Sequence, residues 1–375
     1  MARLDELCNL NMGQSPDSAS YNDIGDGLPF FQGNADFGAL HPTVRVWCNA
    51  PTKIAHEGDI LISVRAPIGA LNIADRDCCI GRGLAALTVN ESLCNRGFIW
   101  YAIANKVDEL NSKGTGSTFK AISKNVLGET EIPLPPLNQQ IQIAAVLDKL
   151  SALISLRKQQ LAKLDELVKA RFVEMFGDII HNDRAWPKYI FSDIASSRLG
   201  KMLDTKQQTG KYSFPYLANF NVQWFRFEMR NLNKMDFTEK EQAEFELCDG
   251  DLLVCEGGEI GRCAVWHNEM QPCFFQKAIH RVRCDQNFVL PDYLAWWFKY
   301  NCDHNGFAEI EGAKATIAHL PGAKLKKLNV AVPPLDLQKQ FATFVEQTGK
   351  SKLTIQQSLD KLEVLKKSLM QEYFR

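Results

Sequence analysis

Two long segments of the chain carry the spacing of apolar residues that is typical of amphipathic helices. Residues 138–177 and 336–374 contain no proline, and their apolar residues recur at intervals of three and four. Each segment therefore predicts one long helix with an apolar seam. The predicted helix-pairing seam comprises Leu147, Leu150, Ile154, Leu161, Leu164 and Val168 in the first helix and Phe341, Val345, Ile355, Leu359, Leu362 and Leu369 in the second.

The two seams predict that the long helices pair with each other as a coiled coil. Arg157, Lys352 and Lys366 occupy seam positions where an apolar residue is expected, and such residues can fix the register between two helices. The alternative is that each helix packs only on its own domain. A helix of about forty residues is ~60 Å long, so we expect the pair to act as a spacer.

The rest of the chain alternates short apolar runs with turns rich in Gly, Asn and Asp. The runs at 60–64 and 252–255 predict strands, and one helix is expected in each half, near 98–110 and 293–300. This content is typical of α+β domains. The predicted division is a globular domain at 1–137, a long helix and linker at 138–185, a second globular domain at 186–334 and a second long helix at 335–375.

The two halves of the chain resemble each other. The hinge IPLPPL at 132–137 matches VAVPPL at 330–335, a shift of 198 positions that continues through both long helices. Each Pro-Pro pair should end the strand before it, and Asn138 and Asp336 are the predicted N-caps of the helices. Upstream, the matches occur at shifts of 192 and 187. The sequence therefore predicts a pseudo-two-fold internal repeat.

Composition limits the classes of function. The net charge is −1, from 43 basic and 44 acidic residues, so coating of nucleic acid by overall charge is not expected. Neither a membrane helix of ~20 apolar residues nor a secretory signal is recognisable, so a cytoplasmic protein is expected. The 11 cysteines contain no pair with metal-binding spacing, and we expect reduced thiols and no metal site.

Four short motifs occur in order around the doubled hinge and helix. They are MGQSP at 12–16, PFFQGN at 29–34, GSTFKAI at 116–122 and MFGD at 175–178. With these motifs and the doubled hinge, the chain resembles, over essentially its full length, the specificity subunit of type I DNA restriction-modification systems. The second half departs from the first where Leu320-Pro321-Gly322 replaces Ile122-Ser123-Lys124.

The resemblance implies two similar target recognition domains separated by two long helices that form an antiparallel coiled coil. Each domain would read one half of a bipartite site in double-stranded DNA, and the helices would set the spacer and dock two methyltransferase subunits. Restriction subunits would complete the complex. No cofactor is expected on this chain, because S-adenosylmethionine would bind the methyltransferase partner and ATP and Mg the restriction partner.

The residues themselves leave a second function open. A coiled-coil scaffold or adaptor that joins two protein partners without reading DNA would also contain paired helices and a repeat. An enzyme is not expected, because both Pro-Pro pairs are followed by Leu and not by the aromatic residue of an adenine methyltransferase loop. Gly349-Lys350-Ser351 lacks the first glycine of a phosphate loop, since Phe344 occupies that position. No catalytic residue is therefore predicted.

The candidate DNA-binding residues are cations, amides and hydroxyls on predicted loops, because such groups and backbone N–H groups contact base edges and phosphates. Glycine beside a cation allows close approach of the backbone to a phosphate, which favours Arg82 and Lys120. The candidates in the first domain are Gln14, Ser15, Gln32, Asn34, Arg65, Arg82 and Lys120. For each one, the alternative is a solvated turn residue.

The second domain contains a parallel set of candidates. Lys277 lies opposite Arg82 at a shift of 195, which predicts a cation at one structural position in both halves. His280 is expected to be a buried histidine, and Trp296-Trp297 to be helix core and not a stacking platform. The candidates in the second domain are Arg198, Lys201, Asn219, Asn221, Gln276, Lys277 and Arg281.

Overall fold

The computed structural model describes residues 1–116, 120–204, 208–308 and 319–375. Three residues of the GSTFKAI motif, Ser117, Thr118 and Phe119, therefore lie outside the described residues. The chain divides into two compact units: the first unit is Met1–Gln160 with Ile355–Arg375, and the second unit is Leu161–Thr354. Among the helices that the structure describes, none combines the length and apolarity needed to cross a bilayer.

The first unit is built around a four-stranded antiparallel sheet. Its strands lie in the order Cys8–Met12, Leu84–Val89, Ile60–Ser63 and Leu71–Ile73. Successive residues of the central strands are buried on opposite faces: Ile60 and Ile62 pack against the helices, and Leu61 packs on the other side of the sheet. Both faces are therefore covered, which explains why these strands read as uninterrupted apolar runs.

The remaining elements of the first unit cover that sheet. A second, five-stranded sheet has the order Tyr21–Asn22, Trp47–Cys48, Leu28–Phe31, Cys78–Ile80 and Ile54–Ala55. Ala2–Arg3 pairs with Glu131–Ile132. The short helices are Leu4–Leu7, Arg96–Asn105, Val107–Lys113 and Lys124–Gly128, with 3-10 turns at Ser18–Ser20 and Asn34–Asp36.

The second unit contains the same central sheet. Its strands lie in the order Ala195–Leu199, Ile279–Cys284, Leu252–Cys255 and Cys263–Val265. The other sheets are Asn233–Asp236 with Ser213–Leu217 and Phe274–Phe275, Val222–Gln223 with Arg226–Phe227, and Lys188–Ile190 with Asn329–Ala331. The helices are Phe191–Ile194, Glu239–Phe245, Pro291–Asp303 and Gly322–Leu325, with a 3-10 turn at Asn219–Asn221. The α+β class and the internal repeat are confirmed.

The strand registers of the two units agree residue by residue. In the first unit, Ala85 pairs with Met12 on one side and with Ile62 on the other. In the second unit, His280 pairs with Leu199 and with Val254 in the same way. These pairings reproduce the shifts of 187, 192 and 195 that relate the two halves of the sequence.

The long helices are Leu137–Phe176 and Leu335–Tyr373. The prediction that Asn138 and Asp336 are their N-caps is wrong, because each helix begins one residue before these positions. The carbonyl of Pro136 already accepts the N–H of Gln140 at 3.1 Å, and Pro334 does the same for Gln338 at 3.2 Å. The second proline of each pair, Pro136 or Pro334, therefore takes the cap position, two residues before the predicted one.

All twelve residues of the predicted seam are buried or half-buried. Within the first unit, Lys366 Nζ donates to Ser151 Oγ at 2.8 Å, and Lys158 pairs with Glu363 at 2.8 Å. Residues further along the first helix thus contact residues that come earlier in the second helix, so the two segments run antiparallel. Burial lowers the pKa of Lys366, as is expected for a cation at a seam position.

The helix segments of the second unit also run antiparallel. Lys352 forms an ion pair with Asp165, and the ring centroids of Phe172 and Phe341 are 5.4 Å apart. Lys352 therefore has a partner on the opposite helix, which supports the prediction that polar seam residues fix the register.

A buried glutamine fastens each long helix to its globular domain. Gln140 Oε1 accepts the N–H of Asn95 at 2.9 Å, and its Nε2 donates to the carbonyls of Pro135 at 2.8 Å and Leu93 at 3.4 Å. The amide therefore joins the hinge to the turn that precedes helix Arg96–Asn105.

Gln338 makes the equivalent bonds in the second unit. It bonds to Leu290 N–H at 2.8 Å, to Pro333 O at 2.8 Å and to Phe288 O at 3.0 Å. Both glutamine side chains are essentially inaccessible to solvent. Every hydrogen-bonding group of each amide is thus used inside the protein.

Replacement of either buried glutamine should destabilise its unit. Gln140→Leu leaves the Asn95 N–H and two carbonyls without their partner, and an unsatisfied buried polar group costs about 1–3 kcal/mol. We expect a fall of that order in the free energy of unfolding, measured by urea denaturation, and the same for Gln338→Leu. Gln142→Leu is the matched control, because Gln142 lies on the same helix and is exposed. Equal effects of Gln140→Leu and Gln142→Leu would contradict the role of this amide.

Candidate nucleic-acid interface

Four backbone segments of the first unit cross at one end of its central sheet. We call this crossing, formed by residues 12–16, 30–34, 63–66 and 81–84, the first hub. Its hydrogen bonds run from Gly13 N to Leu84 O (2.9 Å), from Gly81 N to Phe31 O (2.8 Å), from Gly83 N to Gln32 O (3.1 Å) and from Val64 N to Gly83 O (2.9 Å).

The first hub requires glycine because the backbones nearly touch. A Cβ on Gly13 would lie 2.2 Å from the carbonyl oxygen of Gly81, and a Cβ on Gly83 would lie 2.5 Å from the carbonyl oxygen of Gln32. Both oxygens belong to the backbone and cannot rotate away. Gly13, and Gly83 beside Arg82, are therefore needed for the close packing of these backbones.

One serine hydroxyl connects two candidate side chains of the first hub. Gln32 Nε2 donates to Ser15 Oγ at 2.9 Å, and Arg82 Nε lies 3.4 Å from the same oxygen. Gln32 and Arg82 are exposed, and the terminal NH₂ groups of Arg82 have no protein partner among the described residues. Ser15 thus restricts an amide and a guanidinium that both face solvent.

Two further cations lie beside this trio. Arg65 forms a β-bridge with Ala121, and the carbonyl of Lys120 accepts the N–H of Ala66 at 2.9 Å. Both side chains are exposed, and neither has an ion-pair partner in the described parts of the chain. Since Val64 is bonded to Gly83, this loop adjoins the segment that carries Arg82.

Gln14 and Asn34 complete the first set. The side chain of Gln14 is exposed, and its backbone is held at both ends: its N–H donates to Ile80 O at 3.0 Å, and its carbonyl accepts Thr52 Oγ1 at 2.6 Å. Asn34 is half-buried in the 3-10 turn Asn34–Asp36. The structure therefore brings all seven candidates of the first domain to one end of the central sheet.

The second unit repeats the crossing, and we call it the second hub. Its backbone bonds are the equivalents of those in the first hub: Gly200 N to Ile279 O (3.0 Å), Lys201 N to Phe275 O (3.1 Å), Gln276 N to Leu217 O (3.1 Å) and Glu256 N to Ala278 O (2.9 Å). A Cβ on Gly200 would lie 2.4 Å from the carbonyl oxygen of Gln276, so this position again requires glycine.

Lys277 occupies the place of Arg82. It lies two residues before the strand Ile279–Cys284, as Arg82 lies two residues before Leu84–Val89. Its side chain is exposed and makes no ion pair or hydrogen bond with any described residue. The predicted structural equivalence of these two cations agrees with the strand registers. Gln276 beside it is half-buried.

Two cations near the second hub form ion pairs with glutamates of the same unit. Arg198 forms an ion pair with Glu244. Lys201 Nζ donates to Glu241 Oε2 and to the carbonyl of Asp236, both at 2.6 Å, and only 15% of its side chain is exposed. Sequence reasoning included them as DNA-binding candidates, whereas the structure shows them bracing helix Glu239–Phe245 and the strand before it.

Arg281 and the two asparagines are also used by the fold. Arg281 donates to the carbonyls of Glu244 (2.9 Å) and Glu246 (3.1 Å), and burial lowers its pKa. Asn221 is fully buried: its Oδ1 accepts Ala218 N–H at 2.9 Å, and its Nδ2 donates to Glu228 O at 2.8 Å. The side-chain groups of Arg281 and Asn221 that form these bonds are therefore not available to contact DNA.

Asn219 is half-buried and directs its amide inward. Its Nδ2 donates to Gly257 O at 2.9 Å, and its Oδ1 accepts a bond from Arg262. The residue opens the 3-10 turn Asn219–Asn221, whose counterpart in the first unit is Asn34–Asp36. Asn and Asp satisfy backbone groups at such turns, which explains their presence without any ligand.

Three aromatic residues of the second unit lie where the sequence placed them. His280 is buried, donates Nε2–H to Leu320 O at 3.0 Å, and has a pKa that burial lowers. Trp296 and Trp297 are core residues of helix Pro291–Asp303. Within the described ranges, no cluster of three or more His, Cys, Asp or Glu side chains is arranged to hold a metal ion.

Sequence reasoning missed one cation at the first hub. Lys53 is exposed, and its carbonyl accepts the N–H of Ile80 at 2.9 Å, which places it beside Gln14. Thr52, next to it, supplies the hydroxyl that holds the Gln14 carbonyl. No glycine flanks this pair and no repeat marks it, so the sequence carried no signal for it.

Comparison with known proteins gives concordant matches. The family model for the type I restriction modification DNA specificity domain matches residues 1–166 and 184–365. The putative type I restriction enzyme MjaX specificity subunit of Methanocaldococcus jannaschii is 42% identical over 158 residues, which are 42% of this chain and 37% of that protein. The type I restriction enzyme EcoBI specificity subunit of Escherichia coli is 19% identical over 382 residues, or 92% of this chain and 78% of that protein.

A solved structure shares the fold over the full chain. The crystal structure of a type I restriction-modification system S subunit from M. genitalium covers 100% of this chain and 95% of that chain, with a TM-score of 0.64 and 16% identity. The doubled arrangement of α+β domain and long helix is therefore found in that protein as well.

Alanine at the crossing glycines should disrupt the hubs. Gly13→Ala and Gly200→Ala force a Cβ against a backbone oxygen, and overpacking of this kind costs about 1–3 kcal/mol. We expect a lower melting temperature for both variants, measured by circular dichroism. Gly33→Ala is the matched control, because it lies in the same hub, has extended backbone (φ −172°), and its Cβ would meet nothing within 4 Å. A melting temperature for Gly13→Ala as high as that of Gly33→Ala would refute the steric argument.

Proposed function

We propose a function for this protein on one premise: the chain belongs to the type I restriction modification DNA specificity domain family. On that premise, the chain selects the DNA sequence for a type I restriction-modification complex and catalyses no reaction itself. Each globular domain reads one half of a bipartite site in double-stranded DNA. The long helices set the number of unread base pairs between the half-sites and dock the methyltransferase subunits.

The observation that carries this proposal is the pair of matched hubs. Each hub presents an exposed cation, Arg82 or Lys277, at the same position before the same strand. An exposed cation next to closely crossing backbones is suited to a phosphate, because both the side chain and nearby N–H groups can approach it. A scaffold or adaptor that only joins proteins would have no use for two such sites.

The exposed amides of the first hub are suited to base edges. Gln32 and Gln14 can each donate and accept, which is what bidentate recognition of adenine in the major groove requires. Because Gln32 and Arg82 are already restricted by Ser15, less conformational entropy is lost when they bind. We therefore propose base contacts for Gln14 and Gln32 and phosphate contacts for Arg65, Arg82 and Lys120.

The partners follow from the same proposal. The chain is nearly neutral overall, with a net charge of −1, so the assembled complex and not this chain alone would supply most of the phosphate contacts. We propose two methyltransferase subunits that carry S-adenosylmethionine, and restriction subunits that use ATP and Mg. Since the substrate is cellular or invading DNA, the complex would work in the cytoplasm.

Exchange of one domain tests the two-reader proposal. Residues 1–137 are replaced by the corresponding domain of a relative, and methylated adenines are mapped across the genome of cells that carry either version. One half of the methylated motif should change, and the other half and the spacer should remain. A change in both halves would overturn the assignment of one half-site to each domain, and absence of any methylated motif with the wild-type chain would overturn the function.

Removal of a hub cation should weaken binding by its phosphate contact alone. In the assembled complex, Arg82→Ala and Lys277→Ala should each reduce the magnitude of the negative slope of log affinity against log salt concentration by about 1. The loss of affinity should be similar on cognate and altered sites. Fluorescence anisotropy on DNA that carries the mapped motif measures both quantities. Arg198→Ala is the control, because its guanidinium is paired with Glu244 and should leave the slope unchanged. The proposal fails if the Arg82 and Lys277 variants keep the wild-type slope.

A further inference from the structure

The first unit contains an open cleft that is far from its hub. The cleft has a volume of about 840 Å³ and lies between residues 39–40, helix Arg96–Asn105 and the start of the first long helix. The strand Leu84–Val89 runs from the hub toward this cleft, and its six residues separate the two places by roughly 20 Å. A molecule bound in the cleft would therefore not occupy the surface proposed for DNA.

The second unit has a residue-by-residue counterpart of this region. Phe37 forms an antiparallel bridge with Pro42, and Val222 forms the same bridge with Phe227. Leu40 of the first unit thus corresponds to Phe225 of the second. The loop tip is Ala39-Leu40 in one unit and Trp224-Phe225 in the other.

The domain helices can be matched in the same way. Asn95 N–H is bonded to Gln140, and Leu290 N–H is bonded to Gln338, so both helices start at equivalent positions. Tyr101 of helix Arg96–Asn105 therefore corresponds to Trp296 of helix Pro291–Asp303.

An aromatic ring fills this place in the second unit and none fills it in the first. Phe225 stacks on Trp296 with ring centroids 4.3 Å apart and an angle of 17° between the planes. In the first unit, Leu40 and Tyr101 line the same open cleft, because alanine and leucine are too small to reach across it.

The cleft also presents the chemistry that an aromatic side chain needs. The side chains at the floor of the cleft are held by contacts with each other. Tyr101 Oη donates a hydrogen bond to Asp148 at 2.8 Å, and Lys366 Nζ lies 5.6 Å from the centroid of the Tyr101 ring. Burial raises the pKa of Tyr101 to about 12. Leu40 (47% exposed) and Ile141 (49% exposed) leave apolar surface at the rim. Clustered exposed apolar residues of this kind mark sites of protein interaction.

We propose that this cleft receives an aromatic side chain of a methyltransferase subunit. The inference rests on the proposed function, which supplies the partner, and on the ring of Phe225, which shows what fits the equivalent place. The contact would give the first unit an anchor that the second unit cannot offer, since its own Phe225 already fills that place. One of the two methyltransferase subunits would therefore bind more tightly than the other.

Filling the cleft from within tests the proposal. The double variant Ala39→Trp/Leu40→Phe copies the loop of the second unit, and it should lower the affinity of the tighter methyltransferase site at least tenfold in isothermal titration of the full chain. Ile141→Glu places a charge on the rim without filling the cleft, and it should weaken the same site. Ile24→Trp, a position that is 84% exposed in the same unit, adds an aromatic residue elsewhere and should bind as the wild type does.

The titration results separate failure of the proposed function from failure of the cleft as the docking site. If the wild-type chain binds no methyltransferase, the proposed function fails. If the wild type binds and both cleft variants bind equally well, with unchanged melting temperatures, the cleft is not the docking site. If the wild-type chain alone is a dimer that Ala39→Trp/Leu40→Phe converts to a monomer, the occupant is a second copy of the chain and the methyltransferase assignment is wrong.

Discussion

The geometry of each half depends on a single buried amide. Gln140 and Gln338 are polar side chains in apolar surroundings, and each bonds both to its hinge proline and to the turn that starts the domain helix. Rotation or sliding of the long helix would leave an N–H and two carbonyls unpaired in the interior, at about 1–3 kcal/mol for each group. The face that each long helix turns toward its partner is therefore fixed at its first turn.

The features that sequence reasoning found are those that depend on spacing. The seams of the long helices, the internal shifts and the equivalence of Arg82 and Lys277 are all regularities along the chain, and the strand registers agree with them. The N-caps were placed two residues late, because Pro136 and Pro334 themselves take the cap positions. This error concerns local backbone geometry and left the helices themselves unaffected.

The roles of individual cations depend on contacts that spacing does not reveal. Arg198 and Lys201 have the same sequence setting as the candidates of the first domain, yet each pairs with a glutamate about forty residues away along the chain. Such a pairing leaves no periodic signal. Asn221 is a similar case, because an asparagine that caps a turn and one that reads a base are the same residue until burial is known.

The two hubs show how exposed side chains can vary while the fold beneath them stays constant. Their backbone hydrogen bonds correspond, but Gly257 stands where the first hub has Arg65, and Gln276 stands where it has Gly81. Of the crossing glycines in the first hub, only Gly13 has a glycine counterpart, Gly200, and in both hubs a Cβ at this position would strike a backbone oxygen. The glycine at this one position is common to both crossings, whereas Ala278 stands where the first hub has Gly83, so the side chains around the shared glycine are free to differ. If the hubs contact DNA as proposed, a domain built in this way could change the bases it reads without rebuilding its core.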